Sequence, residues 1–157
     1  MKNKKKLLTR KELSLLPNHK QVRFAIFCAN QVIHLVPTEH MEVCLKAINA
    51  AELYLEGKAS KEECGVAANI AYVAAYYAIY ATYYAANAAA SAAADAAYTT
   101  AAAYYAAANA AASAAYYAAN AASTKEKQNI IEAQWDLYDQ LLNEDRIFEE
   151  IVLKGII

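Results

Sequence analysis

Histidine and cysteine side chains are the residues of this sequence best suited to hold a metal ion or to act as nucleophiles. His34 and His40 flank Pro37, and Cys28 or Cys44 could lie near them. Structural zinc sites usually include close cysteine pairs of the form C-x2–4-C, and this sequence has no such pair. We therefore expect histidines at the surface or between helices, buried reduced cysteines, and no metal site.

Catalytic and nucleotide-binding motifs are the next kind of chemistry to consider. The sequence contains no G-x-x-x-x-G-K-[ST], G-x-G-x-x-G, G-x-S-x-G or H-E-x-x-H. The first three motifs need closely spaced glycines, and the chain has only three glycines in all. We expect a protein that is not an enzyme, that uses no cofactor, and whose activity is binding.

A line of tyrosine and asparagine through an alanine-rich block is the strongest candidate for a binding site. Eleven of the 13 tyrosines lie between residues 72 and 117. Positions four apart share a helix face, and positions eleven apart do so because eleven residues complete three turns. Large or polar side chains recur at that interval at residues 76, 87, 98, 109 and 120. The predicted binding residues are Tyr76, Tyr83, Asn87, Asp95, Tyr98 and Asn109.

Each of these residues also has a structural interpretation. The line is a packing seam if tyrosine rings and amides fill the space between alanine helices. Asp95 is the single charge between residues 65 and 124, and a role as helix N-cap would explain it. Alanine-rich helices with threonine at eleven-residue intervals resemble the type I antifreeze proteins of fish, but the threonines here do not keep that interval. They are Thr82, Thr99, Thr100 and Thr124.

The elements that position these residues are predicted to be helices. Three glycines and two prolines are too few for the many turns of a β-protein. Capping boxes begin at Thr9, Ser60 and Ser123, each before an apolar run of helical period, and Thr38 is predicted to cap a further helix. The stop signals are Pro17, Pro37 and Gly57. Helices are thus predicted over 9–16, 19–36 and 38–57, from 61 into the alanine-rich block, and from 124 onward.

The predicted fold is all-α, a single-domain antiparallel bundle of about five to six helices with alanine- and tyrosine-rich central helices. Residues 1–8 are predicted to be a basic flexible tail and residues 9–157 the helical domain. A single helix from residue 62 to 122 would be about 90 Å long, at a rise of 1.5 Å per residue. We therefore expect the alanine-rich block to turn back near residues 95–100.

Charge and hydropathy narrow the range of partners. The net charge is −1 and the tyrosine-rich block has almost no basic neighbours, so we expect no nucleic-acid partner. Leucine, isoleucine, valine and phenylalanine are absent between residues 80 and 129, so we expect no membrane span. The last helix is acidic. Its acidic side is interpreted as a solvated face or as a surface for a basic partner, which could include the basic start of this chain.

The stretches RFAIFCANQVIHLV and CLKAINAAELYLEGKASKEECGVAANIAYVAAYYAIYATYY resemble a family of small alanine-rich helical immunity proteins of bacteria and phages. In that family a helix with an A-x-x-C-A core, here residues 25–29, precedes a helix of the A-I-x-A-A type, here residues 47–51. The second helix ends at a glycine, here Gly57, and an alanine-rich tract follows. The likeness covers about residues 23–122. It implies a protein that binds and neutralises a toxin or effector, with no catalytic residues to carry over.

These observations lead to one expected function and two alternatives. We expect a non-catalytic binding or inhibitory protein, immunity-like or a phage anti-defence factor, that neutralises a protein toxin or immune effector. The first alternative is a small-molecule sponge that sequesters a nucleotide-like signal in pockets lined by tyrosine and asparagine. The second is a structural or antifreeze-like helical protein. The start of the chain lacks the apolar stretch of a secretion signal, so we expect the cytoplasm of a bacterium. The sequence is compatible with a monomer and with a homo-oligomer.

Overall fold

The computed structural model describes the backbone of residues 5–80, 113, 116, 120 and 124–153, and the side chains of 5–70, 113, 116, 120 and 126–144. Throughout those residues the regular elements are helical, which confirms the predicted all-α class. They are α1 (Arg10–Leu13), α2 (Asn18–Val32), a 3-10 turn (Ile33–Leu35), α3 (Thr38–Leu55), α4 (Lys61–Tyr80) and α5 (Thr124–Leu153). The turn predicted at residues 95–100 lies outside the described residues, so the closed bundle of five to six helices stays a prediction.

Two of the three predicted capping boxes are confirmed. Before α1, the backbone N–H of Thr9 donates to Glu12 Oε2 at 2.8 Å, and the Thr9 hydroxyl also donates to that carboxylate. Before α4, the backbone N–H of Ser60 donates to Glu63 Oε2 at 2.7 Å, while Ser60 Oγ accepts from the Glu63 N–H at 3.2 Å. Each box satisfies backbone groups that the first turn of a helix leaves without partners. Ser123, the start of the third box, lies outside the described residues.

The connection from α2 to α3 follows proline geometry. The predicted helix over 19–36 is α-helical to Val32, continues as the 3-10 turn, and stops before Pro37. The prediction that Thr38 is an N-cap is wrong, because Pro37 takes that position and Thr38 is already helical. Pro37 has φ −57° and ψ 146°, and its carbonyl accepts from the backbone N–H of His40 at 2.9 Å. The proline therefore starts the helix one residue earlier than a threonine cap would.

Gly57 ends α3, as predicted from the sequence. Its φ is +71°, a left-handed conformation that glycine adopts without a Cβ clash. The Gly57 N–H donates to the carbonyl of Tyr54 at 3.0 Å, and the Lys58 N–H donates to that of Leu53 at 2.8 Å. This pair of bonds is the Schellman arrangement, which reverses the chain and lets α4 return along α3.

Helix α2 is the centre of the described core, because it packs against both α3 and α5. The spacing of Val22, Ile26, Ala29 and Ile33 predicts one helix face; the first three are buried and Ile33 is partly buried, and Phe24 and Cys28 are buried as well. Each large apolar side chain removed from water stabilises the fold by about 1.5–3 kcal/mol. The other helices contribute Leu13, Cys44, Ile48, Ala51, Tyr138 and Leu141 to the same cluster.

Two polar residues at the start of α2 are buried with the core. The Gln21 side-chain amide donates to the carbonyls of Leu16 at 2.8 Å and Leu13 at 3.2 Å, which fixes the end of α1. Lys20 is 2% exposed, and its Nζ donates to the Leu141 carbonyl in α5 at 2.6 Å. Because buried polar groups are costly without partners, these bonds tie α2 to both α1 and α5.

A charged contact also joins α2 to α5. Arg23 donates through both terminal nitrogens to the Glu144 carboxylate, at 2.8 and 3.1 Å. Lys20 Nζ lies 3.8 Å from the same carboxylate. Glu144 therefore contacts two cations of α2, the exposed Arg23 and the buried Lys20.

Residues 5–8, called the N-terminal segment below, lie against α5. Leu8 is 4% exposed and belongs to the core cluster. Lys5 Nζ lies 3.1 Å from Asp136 Oδ1, and Trp135 Nε1 donates to the Lys6 carbonyl at 2.6 Å. The predicted attraction between the basic start of the chain and the acidic last helix is thus confirmed at Lys5. The domain boundary placed after residue 8 stays a prediction.

Candidate functional site

The predicted binding line is described only in part. Tyr76 lies in α4, where the backbone is described and its side chain is not. Asn120, the last position of the eleven-residue line, accepts at Oδ1 a hydrogen bond from Lys127 Nζ of α5 at 2.8 Å. The other predicted residues lie outside the described residues and stay predictions. They are Tyr83, Asn87, Asp95, Tyr98 and Asn109.

Helices α3 and α4 meet through small side chains. Ala47 and Ala68 form a buried cluster, and the Cys64 thiol donates to the Ala50 carbonyl at 3.3 Å. Because residue 64 meets residue 50 and residue 68 meets residue 47, the two helices run antiparallel. Small residues let helix backbones approach closely, and the larger side chains beside the contact then border a groove.

This α3–α4 groove has a volume of about 460 Å³ and is mainly apolar. Val66 and Ile70 stand one helical turn apart on its α4 side and are 60% and 52% exposed. An exposed pair of large apolar side chains at the edge of a concave surface is typical of a site that another molecule covers. The lining residues are Val43, Lys46, Glu62, Glu63, Val66, Ala67 and Ile70.

The rim of the α3–α4 groove carries a net negative charge. Lys46 is already paired with Glu42 at 2.7 Å, one turn away on the same helix. Glu63 accepts the backbone N–H of Ser60 in the capping box. Glu62 is exposed and has no ion pair among the described residues. The charge left for an incoming group is therefore that of carboxylates, next to an apolar floor.

Sequence reasoning placed the binding site in the tyrosine line and missed Val66 and Ile70. A signal for them was present. Cys64 and Ala68 mark the side of α4 that packs on α3, while Ile70 and Val66 lie about 120° and 160° around the helix from Cys64, on the flank that begins with Ala67, at about 100° per residue. Large apolar residues on a flank outside the packed side either are buried by another element or are offered to a partner.

A second groove, of about 500 Å³, lies between α2, α3 and α5. Ile26, Phe27, Leu55 and Leu137 form its floor. Its charged rim is largely satisfied within the chain. Arg23 is paired with Glu144, and Glu56 is paired with Lys58 at 2.7 Å. These pairs make the second groove a weaker candidate than the α3–α4 groove.

The histidines lie at the surface or near it, as predicted. His34 is exposed in the 3-10 turn, beside a recess of about 240 Å³ that Gln31, Glu126 and Asn129 also line. His40 is partly buried, with Nε2 3.9 Å from Glu39 Oε1. Among the residues that the structure describes, no group of three His, Cys, Asp or Glu side chains is arranged to hold a metal ion.

The three cysteines are buried and none forms a disulfide, which confirms the sequence prediction. Burial raises the pKa of the Cys28 thiol far above its ordinary value and that of Cys44 to about 11. Since the thiolate is the reactive form, these two thiols are chemically inert in the folded protein. No described helix has both the length and the apolar character needed to cross a membrane.

Comparisons with known proteins add no relative to this picture. No family model matches the chain, and no curated protein or solved structure matches it significantly. The resemblance to immunity proteins therefore stays a prediction. The candidate site rests on the geometry of α3 and α4 alone.

Proposed function

We propose that this chain is a non-catalytic binding protein that neutralises a protein toxin or immune effector by occupying it, as an immunity-like or phage anti-defence protein does. The observation that carries the proposal is the α3–α4 groove with its exposed Val66 and Ile70. An inhibitor that acts by occupancy needs an exposed apolar patch, whereas a sponge needs a concave polar pocket. The α3–α4 groove presents an exposed apolar patch.

The shape and charge of the groove favour one kind of occupant. Two antiparallel helices in close contact leave a shallow channel between their flanking side chains, and the apolar face of a third helix fits such a channel. The carboxylate of Glu62, which has no ion pair among the described residues, favours basic residues at the edge of that face. We therefore propose an amphipathic helix of the partner protein, with apolar side chains one turn apart and lysine or arginine beside them.

The sponge alternative has less support among the described residues. Its predicted tyrosine and asparagine positions lie outside them, apart from Tyr76, whose side chain is not described. The recess beside His34 measures about 240 Å³. Pockets for small organic ligands are usually about 300–1,000 Å³. Sequestration of a nucleotide-like signal thus stays the second candidate, resting on the sequence.

Val66→Lys is the variant that tests the proposal. Lysine four residues after Glu62 adds a favourable pair on the helix, so α4 should stay folded while a cation blocks the groove. Leu15→Lys is the matched control, because Leu15 is a large apolar residue with similar exposure, 64%, in the turn after α1. The wild-type protein and both variants would be purified from the native host and studied by native mass spectrometry.

The expected result is a protein partner that binds the purified wild-type chain and Leu15→Lys equally, and binds Val66→Lys at least about tenfold more weakly, as for an interface hot spot. Inhibition of the partner should be lost with the same variant. Binding that is equal for both variants would overturn the proposal. Release of a small molecule on denaturation would favour the sponge instead. Thermal melts of both variants are the folding control. A lower melting temperature of Val66→Lys would show that other residues of this chain cover the groove.

The cellular setting and the architecture belong to the same proposal. We place the protein in the cytoplasm of a bacterium, which its three buried cysteines, none of them in a disulfide, support, since disulfides are rare in reducing compartments. We also keep the single-domain antiparallel bundle of five to six helices. The antiparallel pairing of α3 with α4 supports it.

A further inference from the structure

The α5 surface beneath the N-terminal segment has the composition of a lysine-binding site. Lys5 Nζ lies 3.1 Å from Asp136 Oδ1 and 5.9 Å from the centre of the Trp135 ring. A carboxylate and an aromatic face on one cation combine ion pairing with a cation–π interaction. Tyr138 meets Trp135 edge-on, with ring centres 5.7 Å apart and planes at 85°. Its contact fixes the orientation of the tryptophan ring.

The same surface also binds the backbone of the N-terminal segment, and Leu8 anchors the segment in the core. Trp135 Nε1 donates to the Lys6 carbonyl at 2.6 Å, and Leu8 enters the core three residues after Lys5. The Tyr138 hydroxyl donates to the Glu12 carbonyl at 3.1 Å, which holds α1 beside the site. The part of the segment that precedes the Leu8 anchor is therefore recognised through a lysine side chain and the backbone carbonyl of the next residue.

The contact between residues 5–7 and α5 is weak enough for a partner segment to replace it. The Lys5 side chain is 39% exposed and that of Asp136 is 76% exposed. Ion pairs this exposed contribute little and are screened by salt. Residues 5–9 form no regular secondary structure, so residues 5–7 can leave α5 without breaking a helix. Leu8 would remain as the anchor.

We propose that Trp135, Asp136 and Tyr138 form a recognition site for a lysine-bearing extended segment of a partner protein. Residues 5–7 occupy this site in the free chain as an intramolecular competitor. The site shares no residue with the α3–α4 groove, and the inference does not depend on the proposed function. A partner segment with the same pattern binds by displacing residues 5–7, so the strength of the internal contact sets the affinity for the partner.

Fluorescence of the full chain tests this directly, because Trp135 is the only tryptophan. The probe is a synthetic peptide of residues 2–8, KNKKKLL, and the control is the same peptide with its four lysine side chains acetylated, which removes their charge. We expect the first peptide to shift Trp135 emission saturably and the control to bind at least about fivefold more weakly, because it loses the ion pair and the cation–π contact. Raising the salt from about 0.05 to 0.5 M should weaken the first peptide.

Two variants of the full chain separate a recognition site from a structural arm. Lys5→Ala weakens the internal competitor, so the peptide KNKKKLL should bind about two- to fivefold more tightly to it. Asp136→Asn removes the carboxylate from the site, so the same peptide should bind it about two- to fivefold more weakly. Both changes are exposed, and thermal melts should confirm that both variants fold. Equal affinities for the two peptides, or an affinity unchanged by Lys5→Ala, would overturn the proposal. So would a wild-type titration without any shift of emission.

Discussion

Lys20→Met and Glu144→Gln should differ in their effect on the free energy of unfolding, because they remove opposite halves of a partly buried ion pair. Lys20 is 2% exposed, whereas the Glu144 side chain is 32% exposed. Glu144→Gln removes the carboxylate that lies 3.8 Å from a buried ammonium and leaves that ammonium in place. Lys20→Met removes the buried charge itself, and Glu144 keeps its pair with Arg23 at 2.8 Å.

The magnitudes follow from the distances. Two unit charges about 4 Å apart attract by about 4 kcal/mol at an effective dielectric constant of about 20, and the observed separation is 3.8 Å. Glu144 is partly solvated and shared with Arg23, so we expect Glu144→Gln to cost about 2 kcal/mol. That lies between exposed pairs, at about 0.2–1 kcal/mol, and buried pairs, at about 3–5 kcal/mol. Lys20→Met should change stability by less than about 1 kcal/mol, because an apolar replacement avoids the desolvation of the ammonium.

Urea unfolding followed by circular dichroism at 222 nm measures both changes. Glu42→Gln is the control, because its pair with Lys46 at 2.7 Å is exposed on both sides and joins residues one turn apart. We expect the control to cost about 0.3–0.5 kcal/mol. The reasoning is refuted if Lys20→Met costs more than about 2 kcal/mol, or if Glu144→Gln cannot be distinguished from Glu42→Gln.

Three further predictions concern local features. Gly57→Ala should lower stability by about 1 kcal/mol in urea unfolding, because φ is +71° while the space for a Cβ is open; Gly57→Asn should cost less, since asparagine tolerates this conformation. The hydrogen bond from Thr9 lowers the pKa of Glu12, so this contact stabilises the fold above the ordinary carboxyl pKa and is lost as the pH falls through the lower folded value; Thr9→Ala should flatten that acid-side loss in pH-dependent melts. Cys28 and Cys44 should not react with a thiol reagent at pH 8 in the native state and should react in urea, as counted by mass spectrometry.

The helix ends could be predicted from the sequence because their signals are local. The capping boxes at Thr9 and Ser60 and the stop at Gly57 each depend on contacts within about four residues. Thr38 shows the limit of that reasoning, because Pro37 supplied the extended backbone before the helix and made a side-chain cap unnecessary. The first and last residues of a helix can therefore be predicted from the sequence to within about one residue, unless a neighbouring residue such as Pro37 overrides the local signal.

The tertiary contacts could not be predicted, because they depend on which helix lies opposite. Lys20 looks like a surface residue in the sequence, but in the structure it is buried, with the Leu141 carbonyl and the Glu144 carboxylate of α5 within reach. Leu8 follows a run of basic residues, and no local sequence signal places it in the core cluster to which it belongs. No spacing in the sequence links residues more than 120 positions apart.

The small side chains at the α3–α4 contact give a physical reason for the binding surface proposed on α4. Alanine and cysteine bury little area, so Ala47, Cys64 and Ala68 stabilise the pairing of the two helices less than leucines would. What they provide is close approach, which leaves Val66 and Ile70 beside the seam rather than inside it. Covering those two side chains would gain apolar burial that the helix pair itself does not use. A partner helix placed there would bury more apolar area because the small residues Ala47, Cys64 and Ala68, which stabilise the helix pair only weakly, set the depth of the groove.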